Sequence, residues 1–224
     1  MRHSFVSFLA LAAGLTLAQA ANAQPARIDL STPPPPPAVQ RTHHVHDGFY
    51  TRLSLGLGSL GLDFDDDGSR NVDLDGSGLA FSADIMIGGS PSPGVAIGGA
   101  LLGTASFSLE LEQNGRSVGD RDVGMVILGP FIDGFPNPKQ GWHIGGAVGV
   151  AGMDIENPSA KDDISSLRGF GGAAWAGYDW WVGSEWSAGL LARLHGALVR
   201  RDRDNLDVTA SALGFSLMFT GLYH

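Results

Sequence analysis

Few residues of this chain could do chemistry, and each sits in a pattern that says what it could hold. Asp63, Asp65 and Asp67, followed by Gly68, repeat the alternate carboxylates and the turning glycine of the first half of an EF-hand loop, whose oxygens converge on Ca²⁺. The twelfth position of that frame is Leu74 rather than a bidentate glutamate, so a solvated acidic loop is the favoured reading and a Ca²⁺ site its rival. His43, His44 and His46 stand close enough to bind Zn²⁺ or Ni²⁺ through imidazole, but only Asp47 is at hand as a further ligand, and a polar linker rich in histidine accounts for them as well. A nucleophile needs a base within reach. His195, expected high on its strand, has no serine in a recognisable pairing, so no catalytic residue and no cofactor beyond the Ca²⁺ candidate is expected.

Six further ionisable residues, Arg52, Asp84, His143, Asp179, Arg193 and His195, fall among small or polar neighbours on alternate positions of otherwise apolar segments. Such positions share one face of a strand. Arg52 and Asp84 come out at similar height on paired strands, and so do His143 and Asp179. The expected role is a buried polar network that satisfies itself; a proton or ion path is the functional rival.

The elements that carry these residues are β-strands. From Phe49 to Gly58, Phe49, Thr51, Leu53, Leu55 and Leu57 alternate with Tyr50, Arg52, Ser54, Gly56 and Gly58. The same period of two recurs at 79–88, 142–151, 186–195 and 212–220, and more loosely at 95–104 and 170–180. The segment 123–132 is apolar on both faces and contains Pro130, which removes a ladder donor, so its end is the weakest assignment. The connections run long (63–76), short (89–93), long (110–121), short (134–140), long (153–167), short (183–185) and intermediate (200–207). Eight such strands predict an all-β, eight-stranded antiparallel up-and-down transmembrane β-barrel.

Aromatic residues mark one end of it. Phe49, Trp142, Tyr178, Trp180, Trp186 and Tyr223 fall near the short turns, as do Tyr50, Phe131, Phe135 and Trp181. Amphipathic rings prefer the membrane–water interface, where barrels carry girdles of them. Short turns are periplasmic and long loops external in outer-membrane barrels, so both termini are expected in the periplasm.

The flanks agree. Residues 1–23 read as a secretory signal, with Arg2, an apolar run from Phe5 to Ala18 and a small-x-small site at Ala21-Asn22-Ala23. Residues 24–47, with a run of prolines at 33–37, read as a disordered periplasmic linker, and 48–224 as the barrel. The chain has no cysteine, which excludes a lipid-anchored cysteine, disulfides and thiolate metal sites. A formal charge of −9 makes nucleic acid an unsuitable partner. Glycine, at 33 of 224 residues, is about twice its usual share of ~7%, as crowded strands and many turns require.

Eight amphipathic strands, turns at Ser90-Pro91, Pro136-Asn137-Pro138 and Gly183-Ser184, and a last strand ending Leu217-Met218-Phe219-Thr220-Gly221-Leu222-Tyr223-His224 together resemble the small eight-stranded outer-membrane barrels, among them the transmembrane domain of outer-membrane protein A. The resemblance is architectural and covers roughly 48–224. It implies the outer membrane of a Gram-negative bacterium and recognition of the last strand by the barrel assembly machinery; the periplasmic peptidoglycan-binding domain that some relatives carry is not expected here. In that group the terminal residue is aromatic; here Tyr223 is penultimate. Outer-membrane lipid and lipopolysaccharide are the expected partners, with Arg70, Arg116, Arg121, Lys161, Arg168, Arg200, Arg201 and Arg203 placed in the connections to meet its phosphates or to keep those connections soluble. A monomer with a structural, envelope-integrity or surface-interaction role is expected, with a narrow channel or transporter for small solutes as first alternative and a lipid A-modifying enzyme as second.

Overall fold

The computed structural model describes residues 44–66, 74–113, 116–156, 164–203 and 206–224. The predicted signal, 1–23, and most of the predicted linker lie outside them. Eight strands follow in chain order: β1 (Gly48–Asp66), β2 (Leu74–Ser92), β3 (Val95–Gln113), β4 (Arg116–Gly134), β5 (Trp142–Glu156), β6 (Ile164–Trp181), β7 (Trp186–Arg203) and β8 (Leu206–Tyr223). Each pairs antiparallel with the next, and β8 returns to β1 with Leu57 opposite Leu217, closing the barrel. Closure matters because an open edge of unpaired backbone could not face hydrocarbon.

The strands are longer than the sequence pattern suggests, and the excess lies at one end. Residues expected in external connections are paired strand: Asp63 faces Asp75, Glu110 faces Asp120, Met153 faces Leu167 and Arg200 faces Thr209. The asymmetry between the two ends therefore lies in how far the strands overshoot, and the expected contrast in connection length largely disappears.

The outer wall explains the overshoot. Apolar side chains face outward on β1 from Phe49 to Leu57, close to the ~9–11 residues that a tilted strand needs to cross a bilayer. Beyond Leu57 the alternation changes sense. Ser59 and Asp63 face out, while Leu60 and Leu62 are buried inside; Leu57 is 59% exposed and Leu60 0%. On β5 the same change puts Val148 and Val150 outside and Met153 and Ile155 inside, with Glu156 exposed. On β3 a bulge after Ser106 performs it, so that Phe107 faces out and Leu109 in. Apolar surface goes wherever water is not: outward in the lower wall, inward above it.

That division accounts for β4. Val123, Met125 and Ile127 fill the upper interior and Leu128 and Ile132 the outer wall, so both faces of the strand are apolar. Pro130 does not end it. It faces out opposite Gly99 of β3, and pairing with β5 lapses at that point between Leu128–Val150 and Phe131–Ala147 before resuming in the same register.

Candidate functional site

The chemistry of the described residues is concentrated inside the barrel, in the half nearer the short turns. Its hub is Asp133, buried on β4 one residue before the strand ends. The Asp133 carboxylate accepts from Tyr50 Oη at 2.6 Å, Arg52 Nη1 at 2.8 Å and Trp175 Nε1 at 3.1 Å, with His143 Nδ1 at 3.1 Å. The Arg52 guanidinium also lies over the Trp175 ring at 4.6 Å and reaches Met86 Sδ at 3.0 Å. His143 stands between two carboxylates, with Nε2 at 3.5 Å from Asp179 Oδ2, and Asp179 in turn accepts from Thr220 Oγ1 at 2.7 Å. The buried Arg52 cation thus meets a carboxylate, a ring face and a thioether, while its Nε has no partner among the described residues; an opposite charge at hand is the condition under which a charge can be held away from water.

A second cluster lies one step further up. Arg193 on β7 spans the lumen to Asp84 on β2, and its Nη2 donates at 2.9 Å to both Ser82 Oγ and Thr104 Oγ1. Ser82 is bonded to Ser216 at 2.8 Å, and Thr104 to His195 Nε2 at 3.1 Å. Above this, Leu60, Leu62, Leu109, Met125, Met153 and Leu167 pack against one another as a dry core.

The six ionisable residues expected in the lumen are all there and all buried, but their pairing differs from expectation. Arg52 lies opposite Met86, not Asp84, and forms its ion pair with Asp133 of β4. Asp84 pairs with Arg193. An eight-stranded interior is narrow enough for a long side chain to cross it, so contacts across the lumen compete with those between neighbouring strands. His195 sits at mid-strand, 2% exposed, rather than near the outer rim. Sequence reasoning missed Asp133 altogether because it reads as the start of the Gly134–Gln140 turn.

The short-turn mouth is closed from below. The last residues of the expected linker are not free: His46 N–H donates to the Pro138 carbonyl at 2.9 Å, and its own carbonyl accepts from Gly94 at 2.8 Å. The His46 ring stacks on Phe135, with centroids 3.7 Å apart, and its Nδ1 lies 2.6 Å from Nε2 of His224. Burial holds the His46 imidazole down to about 3 and that of His224 to about 4, with mutual repulsion adding to the His46 shift, so both rings are neutral at ordinary pH. Tyr50, Phe131 and Phe135 point inward above this stopper, and Trp181 flanks it. The outward ring of aromatics comprises Phe49, Trp142, Tyr178, Trp180, Trp186 and Tyr223, in contact as Trp142–Tyr178 (5.1 Å), Tyr178–Trp180 (4.9 Å) and Trp186–Tyr223 (5.1 Å).

Of the expected Ca²⁺ ligands, the two that are described lie in a strand. Asp63 is an exposed strand residue opposite Asp75, Asp65 is paired in β1 opposite Thr209, and Asp67 and Gly68 lie outside the described residues, as does His43. Among the described residues no three metal-ligating side chains converge.

By sequence the chain matches no protein-family model and no curated protein. By structure it is similar to the outer membrane protein OprG from Pseudomonas aeruginosa, with a TM-score of 0.50 at 12% identity over 81% of this chain and 99% of that one. Neisserial surface protein A follows, with a TM-score of 0.49 at 11% identity over 79% of this chain and 96% of that one. The chain has the fold of the small outer-membrane β-barrels. A closed barrel of this kind, with an apolar outer belt edged by an aromatic ring, is built to reside in a membrane, and within it Asp133 and Arg193 hold together the two polar clusters of the lower interior.

Proposed function

We propose that this chain is a closed, non-enzymatic barrel of the Gram-negative outer membrane, with both termini periplasmic, that serves envelope integrity and contacts the surroundings through its overshooting strand end. One observation carries the reading: side chains occupy the interior from the His46 stopper, through the Asp133 and Arg193 clusters, to the dry core around Leu60 and Met125. Interior filling of this kind among the described residues supports a barrel without a continuous aqueous passage. Exposed Arg116, Arg168 and Arg200 at the overshooting end suit lipopolysaccharide phosphates, and the polar outer face above Leu57 suits water beyond the bilayer. The aromatic ring at the other end supports the assignment of that end to the periplasm.

Recordings in planar bilayers test the closed interior. Purified chain should insert without discrete conductance steps, whereas steady single-channel events at low voltage would overturn the proposal in favour of a narrow channel. Lipid A mass spectra should be unchanged on overexpression; a new lipid A species would overturn the non-enzymatic part.

A further inference from the structure

The outer wall of β6 and β7 is built in rows. Three successive pairs face outward together: Arg168 with Arg200, Phe170 with Leu198, and Gly172 with Gly196. A Cβ on Gly172 would stand 3.5 Å from Val148 Cγ1, and one on Gly196 3.6 Å from Leu213 Cδ1. The glycine pair is thus the floor of an outward groove of about 1000 Å³, walled by Val148, Phe170, Leu198 and Leu213. We propose that this groove and the two arginines above it bind one molecule of lipid A, with a phosphate on the guanidinium groups and an acyl chain along the glycine floor. The assignment rests on the overshooting strand end being external, because lipid A occupies the outer leaflet.

The charges select the headgroup. Arg168 and Arg200 are directly opposite on neighbouring strands, where Cα atoms stand about 4.5–5.5 Å apart, so two positive charges meet at one point of the wall. A phosphate monoester carries about −1.5 to −2 charges and three acceptor oxygens, which matches two guanidinium groups. The phosphodiester of an ordinary phospholipid carries a single charge and matches one. Gly152 and Thr209 flank the arginines on β5 and β8, so no bulky side chain at those positions bars a headgroup. The exposed carboxylates Asp75, Glu110, Glu112, Asp120 and Glu156 stand away from this face, on β2–β5. Asp63 and Ser211 lie at the far end of the groove, where the apolar belt has given way to polar residues.

The height is right for an amphiphile. Phe170 is 75% exposed and belongs to the outward apolar belt, and the arginines follow one outward position above it and Leu198. Cation and apolar wall therefore meet at the belt edge, as phosphate and acyl chain do in a lipid. Transfer of a chain from lipid tails to an apolar groove supplies no hydrophobic drive, so the groove contributes packing contacts and selects a ligand that has chains. The phosphate–arginine bonds then carry the affinity.

The test titrates the full chain, folded in detergent micelles, with diphosphorylated lipid A and counts bound lipid by native mass spectrometry. Wild type should hold one molecule. Arg168→Gln and Arg200→Gln should each weaken binding about tenfold and together about a hundredfold, the low end for charge-assisted bonds. Lys139→Gln, at the other end of the barrel, should change nothing. Phosphatidylglycerol, a phosphodiester with acyl chains, should bind at least ~10-fold more weakly, and inorganic phosphate, with no chain, should not displace lipid A. Heat-modifiable gel mobility checks that each variant is folded. Unchanged affinity in the folded double variant, equal binding of phosphatidylglycerol, displacement by inorganic phosphate, or a second copy of the chain in place of lipid would each overturn the site. Orientation is read separately: Ser117→Cys, exposed at the overshooting end, should react with an impermeant maleimide on intact cells. Labelling only after lysis would overturn the external assignment, and lipid A as the occupant with it, whereas labelled cells with an unaffected double variant would overturn the site alone.

Discussion

Asp133→Asn tests whether the lower interior is held by one carboxylate. The substitution keeps size and shape but removes the charge that faces Arg52 at 2.8 Å, and it turns an amide nitrogen toward either Arg52 or Trp175, neither of which can accept. Breaking a buried ion pair by removing one partner costs about 3–5 kcal/mol. The cation–π contact with Trp175 is present before and after, so it offsets none of this. A loss of about 4 kcal/mol is a large part of the ~5–15 kcal/mol that stabilises ordinary domains. With a urea slope of about 2 kcal/mol per molar, the unfolding midpoint should fall by ~2 M. The assay is reversible urea unfolding of the folded barrel in micelles, followed by tryptophan emission and by heat-modifiable mobility. The double variant R52L/D133L removes both charges together and should recover at least half of the loss, because a buried pair replaced by apolar residues is often neutral. The reasoning fails if D133N lies within about 1 kcal/mol of wild type, or if the double variant is no more stable than the single one.

Two further substitutions probe the wall. L53R, in the middle of the outward apolar belt, should cost about 2–4 kcal/mol, whereas G61R, on the same face of β1 above the change of phase, should stay within ~0.5 kcal/mol; equal costs in urea unfolding would remove the membrane boundary from between them. G98V should prevent closure, because a Cβ there runs into the Ile87 carbonyl and the Gly88 Cα of β2, while G99V, with open space around its Cβ, should fold; heat-modifiable mobility of the two, with G98V folded, would refute the close approach.

How much of this could be read from the chain depends on which rule of alternation applied. The lower wall was legible because hydrocarbon outside and a polar interior give strict alternation, as from Phe49 to Gly58. The strand ends were not, because the pattern changes phase between Leu57 and Leu60, and a change of phase looks like a strand end when only one environment is assumed. It is instead one edge of the outward apolar belt written into the sequence. Asp133 was hidden by its place next to Gly134 and Pro136, though it keeps the parity of Phe131 and Gly129 and so belongs to the inner face. The Arg52–Asp133 and Arg193–Asp84 pairs cross the lumen, and the His46–His224 contact joins the two ends of the described chain. No local spacing encodes any of these; they follow only once the register of all eight strands is known.

The split interior has a physical reason. Where the wall is surrounded by lipid, an apolar interior would gain little over the apolar exterior, because lipid tails are as apolar as leucine and supply no hydrophobic drive. Cohesion there has to come from hydrogen bonds and ion pairs made without competing water, which is what Asp133 and Arg193 provide. Where the strands rise past the belt, water surrounds them, and burial of Leu60, Leu62, Leu109, Met125 and Met153 becomes the available source of stability. One continuous ladder therefore carries two cores of opposite chemistry, and a Leu→Asn substitution is costly on both sides of Leu57 for different reasons: at Leu55 it places an amide in hydrocarbon, at Leu62 it places one in a dry core, and only an outward-facing site above the belt accepts it.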